Sequence, residues 1–172
     1  MARNTLILLI RHAEKPEDGP ELSPQGERHA QAYVRFFTHY HLGPKLLTID
    51  ALFAAKDTEG SIRPRLTLEP LAAELKLPLH TPYEDKQTKK MAEHLLSKKF
   101  DGETVVVCWK HSEILELADK LGATARALRP KTQWPEEWPD SEYRWVLQIG
   151  YTPEGQIDHA NTYCIRQPAI TY

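Results

Sequence analysis

Five consecutive apolar residues, Leu6-Ile7-Leu8-Leu9-Ile10, run straight into Arg11-His12-Ala13-Glu14-Lys15. An unbroken apolar run reads as a strand covered on both faces, as in the parallel sheets of α/β proteins. Arg11 and His12 then fall at the carboxyl edge of the sheet, where open α/β folds bind ligands. An arginine holds a phosphate through a planar fork of donors, and a neutral histidine beside it can attack phosphorus. The motif points to phosphoryl chemistry through a histidine.

The rest of the chain bounds that reading. Its 172 residues fit one domain, here taken as 1–172, with enough length for a sizeable core. The net charge is −2, with acids and bases interspersed, so nothing argues for a nucleic-acid partner. Lys86, Lys89, Lys90, Lys98 and Lys99 form the largest cationic cluster and read as a solvated helix face. Cys108 and Cys164 are too few for a disulfide framework or a metal site by themselves. Cys108, in the run Val105-Val106-Val107-Cys108, reads as a small buried hydrophobe. No run approaches the ~18 apolar residues of a membrane helix, and the first apolar run leads into Arg11-His12 rather than a cleavage site. The expectation is a cytoplasmic protein without a membrane partner. Oligomeric state is not readable.

Strand and helix signals alternate. Ser23 and Pro24 open a first helix whose Ala30, Tyr33, Val34 and Phe37 form one apolar stripe, closed by Gly43-Pro44. Residues 51–55 read as a second strand, followed by a polar loop at 56–60. A second helix carries Leu68, Leu71, Ala72 and Leu75, with Pro70 expected near its start. Residues 77–81 read as a short strand, and 86–97 as a third helix with Met91, Ala92, Leu95 and Leu96 inward. Thr104 to Trp109 is the strongest strand signal. A fourth helix follows through Ile114, Leu117, Ala118 and Leu121, closed by Gly122. This alternation implies parallel strands with crossover helices. From residue 130 the chain turns Pro- and Trp-rich. Residues 143–149 and 156–165 then read as antiparallel strands joined by a turn at Pro153-Glu154-Gly155. Trp134, Trp138 and Trp145 are read as packing for these strands.

The opening logic recurs at Val105 to His111, where a buried strand ends, a histidine appears and a helix begins. If the two strands are neighbours, His12 and His111 converge on one sheet edge. The helix start adds N–H donors and a positive dipole end. Ser61-Ile62-Arg63-Pro64-Arg65-Leu66-Thr67 lies after the second strand, so Arg63 or Arg65 reaches the same edge. Two arginines and two histidines suit a dianionic phosphoryl group.

Taken in order, these motifs resemble the histidine phosphatase superfamily, also called phosphoglycerate mutase-like. Arg11-His12-Ala13 resembles the family's Arg-His-Gly, with Ala13 a mild departure. Leu22-Ser23-Pro24-Gln25-Gly26 with Ala30 resembles its first-helix pattern. Arg63-Pro64-Arg65-Leu66-Thr67 resembles its Arg-Ala-x-Gln-Thr segment, and Val105 to His111 its hydrophobic strand ending in His. The likeness spans Leu6 to Gly122. It implies a three-layer α/β/α sandwich with a mixed, mainly parallel sheet.

The resemblance also implies roles. His12 is the nucleophile and becomes a phosphohistidine, Arg11 and Arg63 clamp the phosphoryl oxygens, and His111 donates to them. Water then hydrolyses the intermediate, and neither metal nor cofactor is needed. Register favours Arg63 over Arg65 as the second clamp. The polar loop at 56–60 departs from the family's tight turn. Ser112 follows the second His where Gly or Asn is frequent, and its hydroxyl is a candidate helix cap. Glu84 and Asp85 are the candidates for the general acid, and an N-cap role for them stands beside that reading. The expected activity is hydrolysis of a phosphomonoester or phosphoramidate, on a small molecule or a phosphoprotein. The alternatives are a non-catalytic phosphate-binding or interaction module, and a phosphoglycerate-type mutase. Glu14 and Lys15 read as solvated loop charges. His29, His39, His41, His80, His94 and His159 read as surface or structural. Specificity is expected from the loops at 15–21, 56–60 and 131–141.

Overall fold

The computed structural model describes residues 2–128 and 134–168. Residues 131–133 of the third expected specificity loop, and residue 130 where the texture changes, lie outside the described residues. The strands are β1 (Leu6–Arg11), β2 (His41–Leu42), β3 (Lys45–Leu46), β4 (Ala51–Ala54), β5 (Leu79–His80), β6 (Thr104–Trp109), β7 (Trp145–Gly150) and β8 (Tyr163–Arg166). The helices are α1 (Pro24–Thr38), α2 (Arg63–Leu75), α3 (Thr88–Leu95), α4 (His111–Lys120) and the single turn α5 (Ala125–Leu128).

Six strands make one sheet in the order β5-β4-β6-β1-β7-β8. The first four run parallel, and β7 and β8 are antiparallel additions at the far side of β1. This is the mixed, mainly parallel α/β sheet expected from the sequence. β2 and β3 form a separate hairpin, with Gly43 at φ +59 in its turn. That conformation costs an L-residue and suits glycine.

The layers follow from the period of two along each strand. Leu8, Ile10, Leu52, Val106, Cys108 and Val146 point to a core with Tyr33 and Phe37 of α1 and Leu68 and Leu71 of α2. Ile7, Leu9, Phe53, Val105, Val107 and Leu147 point to the opposite core, with Met91 and Leu95 of α3 and Ile114 and Leu117 of α4. β1 and β6 are therefore buried at every position, which is why they read as continuous apolar runs. Trp134 and Trp138 join the α3–α4 core, with Trp138 edge-on to Trp145 at 5.1 Å.

α1 begins as its sequence dictates. Ser23 is the N-cap, its hydroxyl accepting from Gly26 N at 3.0 Å, and Pro24 sits in the first turn. The Ser23 N–H and hydroxyl both donate to the Glu14 carbonyl, tying the helix to the segment after β1. A Cβ on Gly26 would fall well inside contact distance of that carbonyl.

Four expectations change. α1 ends at Thr38, where the Thr38 hydroxyl turns back to the Val34 carbonyl, so Gly43-Pro44 belongs to the hairpin instead. α2 begins at Arg63 with Pro64 in its first turn, which puts Pro70 inside the helix. Ser112 does not cap α4: Lys110 is the N-cap, with no side-chain hydrogen bond. Residues 156–165 are not one strand. An isolated bridge joins Ile157 to Tyr151, and a 3-10 turn spans His159–Asn161 before β8. Asp158 causes the interruption, accepting from Asn161 Nδ2 at 2.7 Å and from the Thr162 hydroxyl through its carbonyl at 2.8 Å.

Gly26→Ala is expected to lower unfolding stability by about 1–3 kcal/mol in urea titrations, because the new methyl meets backbone rather than a yielding side chain. Gly60→Ala, with open space around its Cβ, should stay within about 0.5 kcal/mol of the parent. Equal effects from the two changes would refute the close approach of α1.

Candidate active site

The carboxyl ends of β4, β6 and β1 lie side by side. Arg11 stands opposite Trp109, and the His12 N–H donates to the Trp109 carbonyl at 3.2 Å. α4 opens at His111, two residues later. Ala54 stands opposite Cys108, and the loop after β4 delivers Arg63 as the first residue of α2. Three strand ends thus bring Arg11, His12, Arg63 and His111 to one edge, with two helix N-termini directed there.

His12 is 4% exposed. Its Nδ1 lies 2.7 Å from the Ala13 carbonyl oxygen. That oxygen only accepts, so Nδ1 carries the proton and Nε2 keeps its lone pair. Burial drives the His12 pKa down to about 3; the Ala13 hydrogen bond opposes this, and Arg11, Arg63 and His111 add to it. The imidazole is therefore neutral at physiological pH. The Ala13 N–H donates to the Thr67 hydroxyl at 2.8 Å, and Thr67 donates to the Arg63 carbonyl at 2.8 Å. One threonine thus locks the loop after His12 to the start of α2.

Arg11 is 1% exposed. Its Nη1 donates to the carbonyls of Asp140 (2.6 Å) and Glu142 (3.0 Å), and its guanidinium lies 3.7 Å over the Tyr143 ring. Burial lowers its pKa, while Tyr143, Asp140 and Glu14 oppose the shift; an arginine remains charged under these conditions. Arg63 Nη1 donates to the Gly19 carbonyl at 2.9 Å. His111 Nε2 is 2.5 Å from Asp140 Oδ1. Burial and then Arg11 lower the His111 pKa, and Asp140 raises it. Among the described residues, Arg11 Nε, Arg63 Nε and His111 Nδ1 are buried and unpartnered. Two guanidinium donors and an imidazole edge thus gather around a neutral histidine, a chemistry suited to an anion.

The alternatives left by the sequence separate here. Arg65 faces away and is consumed by ion pairs with Asp57 and Glu69, whereas Arg63 lines a cavity of about 170 Å³ beside His12. Asp85 also lines that cavity; Glu84 is exposed and lies off its wall. The segment between β5 and α3 is a turn, and the Asp85 carbonyl accepts from Trp109 Nε1 at 2.8 Å. That bond sets which of the two acids turns inward.

The sequence assigns no site role to Tyr143 or Asp140, and Thr67 enters it only as the last residue of the Arg63–Thr67 motif. Glu14 is not a solvated charge: it pairs with His29 Nδ1 at 2.8 Å, and His29 Nε2 meets Gln167 Oε1 at 2.8 Å. His29 is fully buried and stacks on Tyr33. Its position four residues before Tyr33 puts it on the apolar stripe of α1, the one signal that marked it.

No family model matches the sequence, and no curated protein matches it. Solved structures do. The protein histidine phosphatase SixA complexed with tungstate aligns at 16% identity over 94% of this chain and 96% of its own, with a TM-score of 0.61. A protein assigned as phosphohistidine phosphatase SixA from Nakamurella multipartitia aligns at 17% over 96% and 97%, with a TM-score of 0.56. A phosphoserine phosphatase mutant from Entamoeba histolytica, in complex with phosphoserine, aligns at 16% over 93% and 94%, with a TM-score of 0.53. The chain has the fold of the histidine phosphatases.

Imidazole nitrogen NMR is expected to show His12 as the neutral Nδ1–H tautomer from about pH 8 down to about pH 4, where an ordinary imidazole has titrated near about 6.5. The unfolded chain then binds the extra proton first, so stability falls as pH drops from about 6.5 toward about 3. His12→Asn should flatten that limb of the stability curve. An unchanged limb in the variant would show that His12 is not the buried neutral group.

Proposed function

We propose that this chain is a phosphatase that hydrolyses a phosphomonoester or phosphoramidate through a phosphohistidine on His12. The observation that carries the reading is the neutral, Nδ1-protonated His12 enclosed by Arg11, Arg63 and His111 at a single sheet edge. The fold shared with histidine phosphatases supports it.

In the first step His12 Nε2 attacks phosphorus, and the bond to the leaving oxygen or nitrogen breaks. Arg11 and Arg63 hold the equatorial oxygens, where charge accumulates in the transition state. In each, Nη1 is anchored to a backbone carbonyl while Nε is buried without a partner, so little reorganisation is required for the phosphoryl oxygens to accept from it. His111 donates from Nδ1 when protonated, with Asp140 holding Nε2. Positive charge grows on the His12 ring as the N–P bond forms, and the Ala13 carbonyl on Nδ1 stabilises it. Asp85, on the cavity wall, is assigned the protonation of the leaving group in place of Glu84. In the second step water displaces the histidine and releases phosphate.

The purified protein is expected to turn over an aryl phosphate, and His12→Ala to lose roughly 10³-fold or more of that rate. Equal release by both proteins, or none by the parent from acidic to neutral pH, would sink the hydrolase reading. Phosphate binding without turnover would favour the non-catalytic module, and phosphoryl exchange between phosphoglycerates the mutase.

Arg63→Ala should weaken inorganic phosphate binding by roughly 10- to 100-fold, and Arg65→Ala far less, read by calorimetry. Asp85→Asn should slow alkyl phosphates by about 10²-fold or more while sparing aryl phosphates, whose leaving groups need no proton. An equal loss on both substrates would remove Asp85 from the acid role.

A further inference from the structure

We propose that Lys56 and Lys110 form a second anion subsite beside the transferred phosphoryl group, and that the substrate is a small phosphorylated molecule with a further carboxylate or phosphate. The proposal rests on the phosphatase reading above for the position of the first group.

Register places the pair. Ala54 stands opposite Cys108, and two residues further on come Lys56 and Lys110. Arg11 stands opposite Trp109, and one residue further on come His12 and Lys110. Neighbouring strands are about 4.8 Å apart, so the sheet edge sets two lysines alongside each other and alongside the nucleophile. His12, Lys56 and Lys110 all line the same cavity. Like charges opposite each other repel, which stability alone does not favour.

The charge balance leaves this pair underused. Arg11 and Arg63 match a phosphoryl dianion. Among the described residues Asp85 is the one acid on the cavity wall, and its Oδ2 lies 3.8 Å from Lys110 Nζ. Both side chains are partly exposed, and pairs of that kind are weak. Among the described residues Lys56 has no ion-pair partner. Glu59 and Glu113 lie off the wall. Positive charge therefore remains once the phosphoryl group is bound.

The wall that carries Lys56 is held in shape. Arg65 grips both oxygens of Asp57, at 3.2 and 2.9 Å. Thr58 and Ser61 exchange backbone hydrogen bonds across the turn, and the Lys56 N–H donates to the Tyr83 carbonyl. Arg65 thus braces the loop instead of clamping phosphate. Lys110 occupies the N-cap of α4, where Ser, Thr, Asp or Asn would satisfy the helix and lysine does not. A local rule broken at a site edge is the pattern expected of a functional residue. His12, Arg63 and both lysines share one cavity of about 170 Å³, which suits two anions within a few atoms of each other.

Calorimetry with the full chain tests this with phosphoglycolate, which carries a carboxylate, against methyl phosphate, which does not. The parent is expected to bind phosphoglycolate roughly tenfold more tightly at low salt, with the ratio shrinking as ionic strength rises. Lys56→Gln/Lys110→Gln should bring the ratio to about one, with circular dichroism confirming that the variant is folded. A parent ratio near one, or a ratio that survives in the double variant, overturns the subsite. Selectivity seen only with an acidic phosphoserine peptide, and not with phosphoglycolate, overturns the small-molecule assignment. Aryl phosphate turnover without selectivity refutes the subsite alone, whereas selective binding without turnover refutes the hydrolase reading and leaves the subsite standing.

Discussion

Because β1 and β6 pair in parallel with Arg11 opposite Trp109, the two strands end within a residue of each other, and the chain after each must leave the sheet at the same place. From β1 it leaves as His12; from β6 it leaves as Lys110 and the first residue of α4, His111. The pairing of β4 with β6 adds a third exit, from which the chain enters α2 at Arg63. Arg11, His12, Arg63 and His111 are all set by these two registers. A slip of one residue in either would bring the side chains of one core into the other and mismatch their packing against the helices, so the two buried cores enforce the geometry of the site.

Burial at this edge acts on Arg11 and His12 in complementary ways. It lowers the pKa of His12 and so keeps Nε2 free of a proton. It also strips water from the Arg11 guanidinium, which the protein offsets with the carbonyls of Asp140 and Glu142 and the face of Tyr143. The same segment lends Asp140 to His111. The chain between Trp138 and Tyr143 therefore does more than pack the sheet: it solvates one arginine and orients one histidine. Its tryptophans, read as packing, anchor it, with Trp138 Nε1 donating to the Glu142 carbonyl at 2.8 Å.

The legible parts of the site were those whose local chemistry has one outcome. Register in the resemblance to the family's Arg-Ala-x-Gln-Thr segment, with Thr67 four residues on, favours Arg63 over Arg65. Arg63 and Arg65 are two residues apart on α2, and residues at that spacing do not share a helix face. One of them had to turn away. Glu84 and Asp85 were harder, because they lie in a turn with no period, and a hydrogen bond from Trp109, 24 positions on, orients the segment. Gln167 meets His29 across 138 positions, and Asp140 and Glu142 meet Arg11 across 129 and 131. No window along the chain contains such pairs. The strand misread at 156–165 failed for the opposite reason: Asp158, Asn161 and Thr162 bond locally and outcompete a ladder.

By itself the sequence determined the α/β class, the buried central strands, and the placement of Arg11, His12, Arg63 and His111 at element ends. Those follow from periodicity and from the preferences of single turns, which are local. Only the tertiary structure decided that Asp85 and not Glu84 faces the cavity, that Arg65 braces a loop, that Glu14 is paired with His29, and that Lys56 and Lys110 line one cavity with His12. Each depends on strand order or on contacts between distant segments. Those are settled by burying both faces of one sheet at once, a condition on the whole chain that no short stretch of it expresses.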